Sequence, residues 1–435
     1  MIWILFFILI FILLLILIGM SKNINIANPS FMLVAVYSIS TFFVILNYNN
    51  WNVVNFHLIT LEIIISAIIV WLIGSFLGKK VFQLLPKKTR VVLKYNDYNL
   101  VEISKLMCIT TTIIIFLFAL IYLRELVKNS GIGFANLPTF MLNTRQLLKD
   151  NDISISFLAT QVFSMSKALA MVFTFAFIWN MVKFNKKSWL YLIVPVSYVM
   201  MSLLTSARIY LLYFFGYCFV LYFLISSSKN TFQLKDCVKI FIKVLIILCL
   251  VLVLFAALAN VVGRDSHHTL YEQISVYFGG PLISFDKFLS SYDLVRPDTF
   301  GEETLIGIYQ LLTKIGITDI SLNRHLEYIQ FGENWGNVYS ALRRYIFDYG
   351  YVYAIIIFGL IGFIYSYYFT KVCSTKRKKI SYVIFAMLCY PVIMMPIDDV
   401  LLSSLLSINT VYDLVYVFLF YNFFVKKKIF NIKYK

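Results

Sequence analysis

The sequence predicts an all-α polytopic integral membrane protein, and three observations support this. Of its 435 residues, 61% are hydrophobic and 14% are charged, more apolar surface than a soluble protein of this length can bury. Apolar runs long enough to cross a bilayer recur along the chain. The basic residues are concentrated between those runs, as in cytoplasmic loops. These features exclude a soluble enzyme, a secreted disulfide scaffold, a disordered chain and a nucleic-acid-binding domain.

About eleven apolar stretches are long enough to span a membrane as helices, which satisfy their own backbone hydrogen bonds in hydrocarbon. The predicted spans are 2–19, 30–47, 58–78, 105–123, 156–182, 189–205, 209–226, 240–262, 349–370, 380–397 and 405–425. The first has no preceding basic residue and no small-residue cleavage pattern after Gly19, so we interpret it as a span rather than a signal peptide. The whole chain, 1–435, is therefore expected to form a single transmembrane domain.

The charge distribution predicts the orientation. If the basic loop 79–104 is cytoplasmic, alternation of the spans places 25 of the 38 basic residues and 3 of the 21 acidic residues on that side. Since basic loops stay in the cytoplasm, we expect the N-terminus outside and the C-terminus inside. The net charge of +17 is then a topology signal. The outer side has a medium loop, 124–155, and a large loop, 263–348, in which short helices are expected.

Arginine is distributed differently from lysine under this topology. The cytoplasmic side has 23 Lys and 2 Arg, whereas the outer side and the membrane have 5 Lys and 8 Arg. The eight are Arg124, Arg145, Arg208, Arg264, Arg296, Arg324, Arg343 and Arg344. A guanidinium group matches pairs of phosphate or carboxylate oxygens; alternatively, these arginines pair with outer carboxylates and lipid headgroups. Arg208 has almost no loop around it, so it needs a partner, a wet cavity or a headgroup.

The stretch 337–348 is predicted to be a helix that enters the ninth span. Arg344 and Asp348 are four residues apart, so they can form an ion pair on one helix face. Arg343 is rotated by about 100° from Arg344. The sequence therefore predicts that one arginine is structural and that the other is free.

Other features of the large loop suggest a ligand site. Gly279 and Gly280, followed by Pro281, are expected to break a helix at 268–278 and to let the backbone approach a ligand, although an ordinary turn is equally consistent. The loop has 14 aromatic residues, whose rings suit both the membrane interface and sugar faces. The apolar spacing of 304–317 predicts a helix that lies along the membrane surface or caps a cavity.

A general base near neutral pH would be a histidine or a perturbed carboxylate. All four histidines, His57, His267, His268 and His325, lie on the predicted outer side. The candidates are His268, His325, Glu327 and Glu333, and the densest polar cluster is Arg324-His325 with Glu327. Each could instead be a solvated loop residue.

A metal site is poorly supported by the sequence. Asp150-Asn-Asp152 has the spacing of some metal-dependent sugar transferases, but such a run beside a span is usually a turn or a helix cap. We therefore expect no metal and no cofactor. Glu62, Lys167 and Asp413 are isolated charges within predicted spans that could line a cavity or form pairs.

Three motifs occur in order along the chain. They are Thr205-Ser-Ala-Arg208 between two spans, Tyr277-Phe-Gly-Gly-Pro281 in the large loop, and Gly336-Asn-Val-Tyr339 followed by Asp348-Tyr-Gly350. In this order and placement they resemble the Wzy-type oligosaccharide repeat-unit polymerases, a membrane family that builds O-antigen and capsule chains. The resemblance covers mainly residues 200–365.

The resemblance implies a fold similar to the type-C glycosyltransferases, in the bacterial inner membrane with the active side extracytoplasmic. It implies glycosyl transfer between two undecaprenyl-diphosphate-linked oligosaccharides, without a nucleotide sugar or a metal. A repeat-unit flippase and a chain-length regulator would be partners, besides the lipid bilayer, and no nucleic acid is expected.

By the same likeness, preplaced cations would hold the donor diphosphate; these are Arg208, Arg264, Arg343 and Arg344. An outer histidine or carboxylate would supply the base, which no motif identifies; among the candidates above, His325 and Glu327 rank first. The further substrate contacts would be Arg145, Arg324, Gly279, Gly280, Asn337, Tyr339 and Asp348.

Two other functions share much of this pattern. An O-antigen ligase has the same layout and donor, but it passes the finished chain to another acceptor. A flippase or transporter of the lipid-linked sugar would favour charge-lined spans and short loops, whereas this chain concentrates arginine in its predicted outer loops.

Overall fold

The computed structural model is predominantly helical in the part of the chain that it describes. The described residues are 1–20, 25–53, 56–85, 99–130, 140, 143–144, 155–205, 209–227, 269–291, 297–320, 322, 325–374 and 379–426. Within these ranges, eight helices are long and apolar enough to cross a membrane. This agrees with the predicted class, a helical protein with several membrane-length segments.

The described residues form fourteen α-helices. In chain order they are α1 (Ile2–Gly19), α2 (Pro29–Leu46), α3 (Leu58–Leu84), α4 (Lys105–Ser130), α5 (Phe157–Phe184), α6 (Ile193–Leu203), α7 (Ile209–Ser227), α8 (Leu270–Phe278), α9 (Gly280–Ser291), α10 (Ile306–Lys314), α11 (Ala341–Ser374), α12 (Lys379–Leu388), α13 (Tyr390–Met394) and α14 (Ile408–Phe420). Two short strands, β1 (Ile329–Phe331) and β2 (Asn334–Gly336), pair antiparallel. This hairpin is a small departure from the predicted all-α fold.

The eight membrane-length helices are α1 to α5, α7, α11 and α14, the last continued by a π-helical turn. The predicted span 189–205 forms a 3₁₀ turn followed by the short α6. The predicted span 380–397 is divided into α12 and α13 beside Pro391, which has no N–H to continue the helical ladder. The predicted span 240–262 lies outside the described residues.

Local chemistry sets several helix ends. Asn28 precedes α2, and its side-chain oxygen accepts the Ser30 N–H at 2.9 Å. Ser156 caps α5 in the same way, with the Ala159 N–H at 3.3 Å. These caps satisfy backbone donors that the first helical turn leaves unpaired. At its other end, α5 stops at Asn185, which has a positive φ of 54°, a conformation that asparagine tolerates.

Helices α3 and α11 pack with their backbones in close contact. Gly74 on α3 faces Gly359 on α11, and a Cβ at Gly74 would collide with the Gly359 carbonyl oxygen. A Cβ at Gly362 would lie 2.6 Å from the carbonyl oxygen of Trp71 on α3. Small residues at a helix interface permit this approach, which is how helices associate where no water drives burial.

Helix α11 is kinked at Gly350, which has φ 77° and ψ 171°. Glycine adopts a positive φ without steric cost, so the chain can change direction here. The kink separates a short first segment, 341–349, from a long apolar segment, 351–374. The motif Asp348-Tyr-Gly350 thus marks the point where α11 bends.

A charged pair lies among the apolar helices. Lys167 on α5 forms a salt bridge with Asp413 on α14, and both side chains are largely buried. The Lys167 ammonium also lies 5.5 Å from the ring centre of Tyr213 on α7. Buried charges persist in an apolar setting when they are paired. The sequence left open whether these charges line a cavity or form pairs, and the structure shows that Lys167 and Asp413 form a pair.

One end of the bundle gathers the ends of several helices. The connection between α2 and α3 meets the hairpin, where Gly332 packs against the backbone of Asn50. The Ala341 N–H, at the start of α11, donates to the Met395 carbonyl after α13 at 2.8 Å. Gly307 on α10 packs against Leu406, just before α14. Segments of the predicted large loop are therefore docked onto this end.

Candidate functional site

A cleft opens at this end of the bundle, between the α2–α3 connection, helix α9 and the β1–β2 hairpin. Its volume is about 750 Å³, which is within the range of ligand sites. Seven of its lining residues carry aromatic, charged or titratable groups: Trp51, Phe56, His57, Asp286, Lys287, Tyr328 and Trp335. The cleft therefore combines flat rings with groups able to donate or accept protons.

His57 and Asp286 form a hydrogen-bonded pair in the cleft wall. Nδ1 of His57 lies 3.0 Å from Oδ2 of Asp286. A carboxylate in this position accepts the Nδ1 proton, so that Nε2 becomes the accepting nitrogen of the neutral ring. The His57 side chain is 42% exposed, whereas that of Asp286 is 8% exposed. The ring is thus oriented from the buried side and open towards the cleft.

Asp286 is positioned by the packing of α9 against the first turn of α3. Its Oδ1 accepts the His57 backbone N–H at 3.0 Å and the Thr60 hydroxyl at 2.5 Å. A carboxylate is favourable at a helix N-terminus because the first N–H groups lack intrahelical partners. The neighbouring Lys287 Nζ donates to the Gln330 carbonyl at 2.6 Å and fastens α9 to β1.

Aromatic side chains form another part of the wall. The Trp51 ring meets Phe331 edge to face, with centroids 5.2 Å apart and an interplanar angle of 74°. Tyr328 and Trp335 line the cleft and are both exposed. Such rings present an apolar face beside a polar edge. The wall can therefore accept a ligand that is flat on one side and polar at its rim.

The predicted helix break is confirmed, because α8 ends at Phe278 and α9 begins at Gly280. Both glycines lie against aromatic rings. A Cβ at Gly279 would lie 2.9 Å from the Trp51 ring, and a Cβ at Gly280 would lie 2.8 Å from the Phe331 ring. The two glycines thus make room for the aromatic wall of the cleft.

Arg343 is buried beside the cleft, at the start of α11, and forms an ion pair with Glu303. Its guanidinium carbon lies 4.9 Å from the ring centre of Phe288, 5.1 Å from that of Tyr339 and 5.3 Å from that of Phe347. Rings at these distances attract the cation. Burial raises the pKa of Glu303, and Arg343 opposes that effect.

Arg344 is also engaged. Its Nε donates to Asp398 Oδ1 at 3.1 Å, and its Nη1 donates to the Glu303 carbonyl at 3.3 Å. The prediction of one free arginine is therefore wrong, since Arg343 and Arg344 are both buried and ion-paired. The partner carboxylates, Glu303 and Asp398, come from segments that fold against α11. The spacing of residues within the helix could not predict these long-range contacts.

Asp348 binds a turn of the protein itself. Its Oδ2 accepts the Thr304 N–H at 2.8 Å and the Thr304 hydroxyl at 2.6 Å, and its Oδ1 accepts the Glu303 N–H at 3.1 Å. The Tyr349 hydroxyl lies 2.7 Å from the same threonine hydroxyl. The carboxylate expected to contact substrate therefore holds the segment before α10 against α11, immediately before the kink at Gly350.

Asp399 organises the segment after α13. Its carboxylate accepts the Tyr345 hydroxyl at 2.9 Å and the N–H groups of Leu401, Leu402 and Ser403 at 3.0 to 3.1 Å. Burial raises the pKa of Asp399 to about 6. This carboxyl group therefore changes charge in a pH range close to neutral.

The remaining predicted site residues are dispersed. His325 and Glu327 are exposed, and neither lines the cleft. Tyr339 is buried, and its hydroxyl donates to the Glu327 carbonyl at 3.0 Å; Asn337 is half-buried. The predicted residues that lie outside the described part of the chain are Arg145, Arg208, Arg264, Arg324 and His268.

The His57–Asp286 pair was missed by sequence reasoning. The two residues are 229 positions apart, so no local spacing connects them. His57 was recognised as an outer histidine, but its neighbours in sequence are apolar or amides. The signal that could have found it was its place at the start of a membrane-length helix, on the same predicted side as the large loop.

Metal coordination finds no support in the described ranges, where no group of three His, Cys, Asp or Glu side chains could hold an ion. Asp150 and Asp152 lie outside those ranges.

No family model, curated protein or solved structure matches the chain. In the residues that the structure describes, the fold and the site define a helical protein with eight membrane-length helices and a cleft lined by aromatic and titratable side chains at one end.

Proposed function

We propose that this chain is a membrane glycosyltransferase, an oligosaccharide repeat-unit polymerase. It joins undecaprenyl-diphosphate-linked oligosaccharides into O-antigen or capsular polysaccharide at the outer leaflet of the bacterial inner membrane. The observation that carries the proposal is the cleft, where aromatic rings and the His57–Asp286 pair meet at one end of membrane-length helices. Aromatic faces with polar neighbours suit sugar rings. A lipid tail can remain among the helices while its sugar enters the cleft.

The positions of the Wzy-like motifs support the proposal. The break at 279–281 sets α9 against the cleft wall. The motif 336–339 leads from the hairpin to α11, and the motif 348–350 fastens and then bends that helix. Motifs separated in sequence thus surround one region of the structure, as parts of one site would.

The same proposal includes the orientation, with the N-terminus outside and the C-terminus inside. Its support is the charge distribution together with the grouping of helix ends. The connection from the end of α2 to the start of α3 lines the cleft, and Arg343 at the start of α11 contacts Phe288 on α9, as expected if these helix ends lie on one side of the membrane. At the opposite end, the amide of Asn25 before α2 contacts Cys373 Sγ near the end of α11 at 3.8 Å.

The arginines divide into two groups in this proposal. Arg343 and Arg344 are buried in ion pairs, so they hold the start of α11 beside the cleft. The diphosphate of the donor is left to other outer arginines, foremost Arg208 and Arg264. A flippase delivers the lipid-linked unit to the outer leaflet, and a separate regulator sets chain length.

Deletion of the gene tests the proposed function. The surface polysaccharide of the deletion strain is resolved by size on a gel. A ladder that collapses to single capped repeat units supports the polymerase, because units are still made, exported and attached. Long chains that stay on the lipid carrier would instead indicate the ligase, and loss of all outer material would indicate the flippase.

A further inference from the structure

We infer that His57 is the general base that accepts the proton of the acceptor sugar hydroxyl, and that Asp286 is the residue that positions its ring. The inference rests on the proposed glycosyl transfer and identifies the group that activates the acceptor. It moves this role from His325 and Glu327, which do not line the cleft, to a pair that does.

One ring nitrogen of His57 is held by a partner and the other is accessible. Nδ1 is held by Asp286 Oδ2 at 3.0 Å. In the part of the chain that the structure describes, no hydrogen bond engages Nε2, and the side chain is 42% exposed. A base must present its lone pair to the proton that it removes. His57 is the cleft residue that does so with a fixed ring orientation.

Helix docking alone does not explain the arrangement. The contacts of Asp286 Oδ1 with the His57 N–H and the Thr60 hydroxyl are sufficient to dock α9 on α3. The second oxygen, Oδ2, is directed to the imidazole ring, which is half exposed rather than packed. A buried carboxylate that holds an accessible histidine is the arrangement that orients and stabilises an imidazolium during proton transfer.

The proton transfer balances without any further reactant. The acceptor hydroxyl oxygen forms a bond to the anomeric carbon of the donor sugar, and the bond from that carbon to the diphosphate oxygen breaks. The electron pair of the broken bond stays on the departing lipid diphosphate. The hydroxyl proton moves to Nε2 of His57, and the imidazolium is stabilised by the Asp286 carboxylate until solvent takes the proton.

Three titratable groups of the described residues line the cleft with His57. Asp286 and Lys287 come from α9, and Tyr328 comes from the segment before β1. The Lys287 ammonium donates to the Gln330 carbonyl at 2.6 Å, so it is held at the hairpin. The partner in contact with the imidazole is therefore the carboxylate of Asp286.

Chemical rescue tests the inference. Purified full-length protein is reconstituted in phosphatidylethanolamine–phosphatidylglycerol vesicles with the undecaprenyl-diphosphate oligosaccharide extracted from cells that lack the gene, and chain lengthening is timed. His57→Ala should lower the rate by roughly 10²- to 10⁴-fold, the usual contribution of a general base. Added imidazole should restore part of the rate, more so at pH 8 than at pH 6, because only its neutral form accepts a proton.

Three variants separate catalysis from structure, and a fourth is the control. His57→Gln retains an amide to bond Asp286 and should fold, yet it should be as slow as His57→Ala. Asp286→Asn should lower kcat more than it raises KM, and Asp286→Glu should recover part of kcat. Lys186→Gln, an exposed change remote from the cleft, should leave the rate unchanged.

Failure of this inference is distinguishable from failure of the proposed function. If wild-type protein does not lengthen the lipid-linked oligosaccharide, the polymerase proposal fails. If wild type is active and His57→Gln remains within about twofold of it, His57 is not the base. A folded His57→Ala protein that is inactive and gains nothing from imidazole would also overturn the inference.

Discussion

Buried charges beside the cleft are each held by a partner from another segment of the chain. Arg343 meets Glu303, Arg344 meets Asp398, and Asp399 accepts the Tyr345 hydroxyl. A charge removed from water is tolerated when its partner and its hydrogen bonds are in place. These contacts fix the start of α11 relative to the cleft, so at the residue scale we expect changes in them to act first on stability.

Arg343→Met should lower the free energy of unfolding by about 3–5 kcal/mol, because it leaves the Glu303 carboxylate buried without its partner. The measurement is reversible unfolding in detergent or, if that fails, the melting temperature. The double variant Arg343→Met/Glu303→Gln should recover part of the loss, and the exposed Lys314→Met should change little. An Arg343→Met protein as stable as wild type would contradict a structural role.

Asp399 should make stability depend on pH. Its pKa of about 6 in the folded protein lies above the usual value of an aspartate. Its contribution to stability is therefore fully present below the pKa of the unfolded state and is lost as pH rises through about 6.

Unfolding measured from pH 4 to pH 8 checks this prediction. Relative to Asp399→Asn, which cannot ionise there, wild type should lose stability between about pH 4 and about pH 6 and change little above that. Parallel pH profiles for the two proteins would exclude Asp399 as the source. Asp319→Asn, at an exposed position, is the matched control.

At the element scale, the contact between α3 and α11 depends on the absence of side-chain atoms. Gly74 and Gly78 on α3 face the backbone of α11, and Gly359 and Gly362 face the backbone of α3. Close packing of this kind replaces the hydrophobic driving force that is missing between helices in lipid. Helix α3 begins beside His57, and α11 carries Arg343 near its start. The contact between the two helices therefore also sets the distance between His57 and the start of α11.

Gly74→Ala should push α3 and α11 apart and lower the melting temperature, because the added methyl group would collide with the Gly359 carbonyl. Gly19→Ala is the matched control, since nothing lies within 4 Å of a Cβ there. Overpacking of this kind typically costs about 1–3 kcal/mol. Equal melting temperatures for the two variants would contradict the close contact.

At the scale of the whole molecule, the proposed orientation makes opposite ends of the bundle accessible from opposite sides. In a cysteine-free background, Asp319→Cys lies at the cleft end and Lys186→Cys lies between α5 and α6; both positions are exposed. A membrane-impermeant maleimide added to intact spheroplasts should label Asp319→Cys, whereas Lys186→Cys should be labelled only after permeabilisation. The reverse pattern would invert the orientation.

Sequence reasoning succeeded where the physical signal is local. Apolar length predicted ten segments that overlap described helices, and the glycines before Pro281 predicted the break between α8 and α9. It failed for Arg343, because helical spacing suggested a free arginine while the Glu303 carboxylate arrives from a separate turn. It also predicted one continuous span at 380–397, because this run is apolar throughout. The structure instead has two short helices, α12 and α13, which are separated beside Pro391.

The sequence by itself determined that this is a helical chain with several membrane-length segments, since hydrophobic length and the requirement to satisfy the backbone in lipid are properties of consecutive residues. Only the tertiary structure decided which polar groups meet. His57 and Asp286 come together across 229 positions because α9 docks on the first turn of α3. That docking depends on shape and burial among distant segments, which no local pattern of residues records.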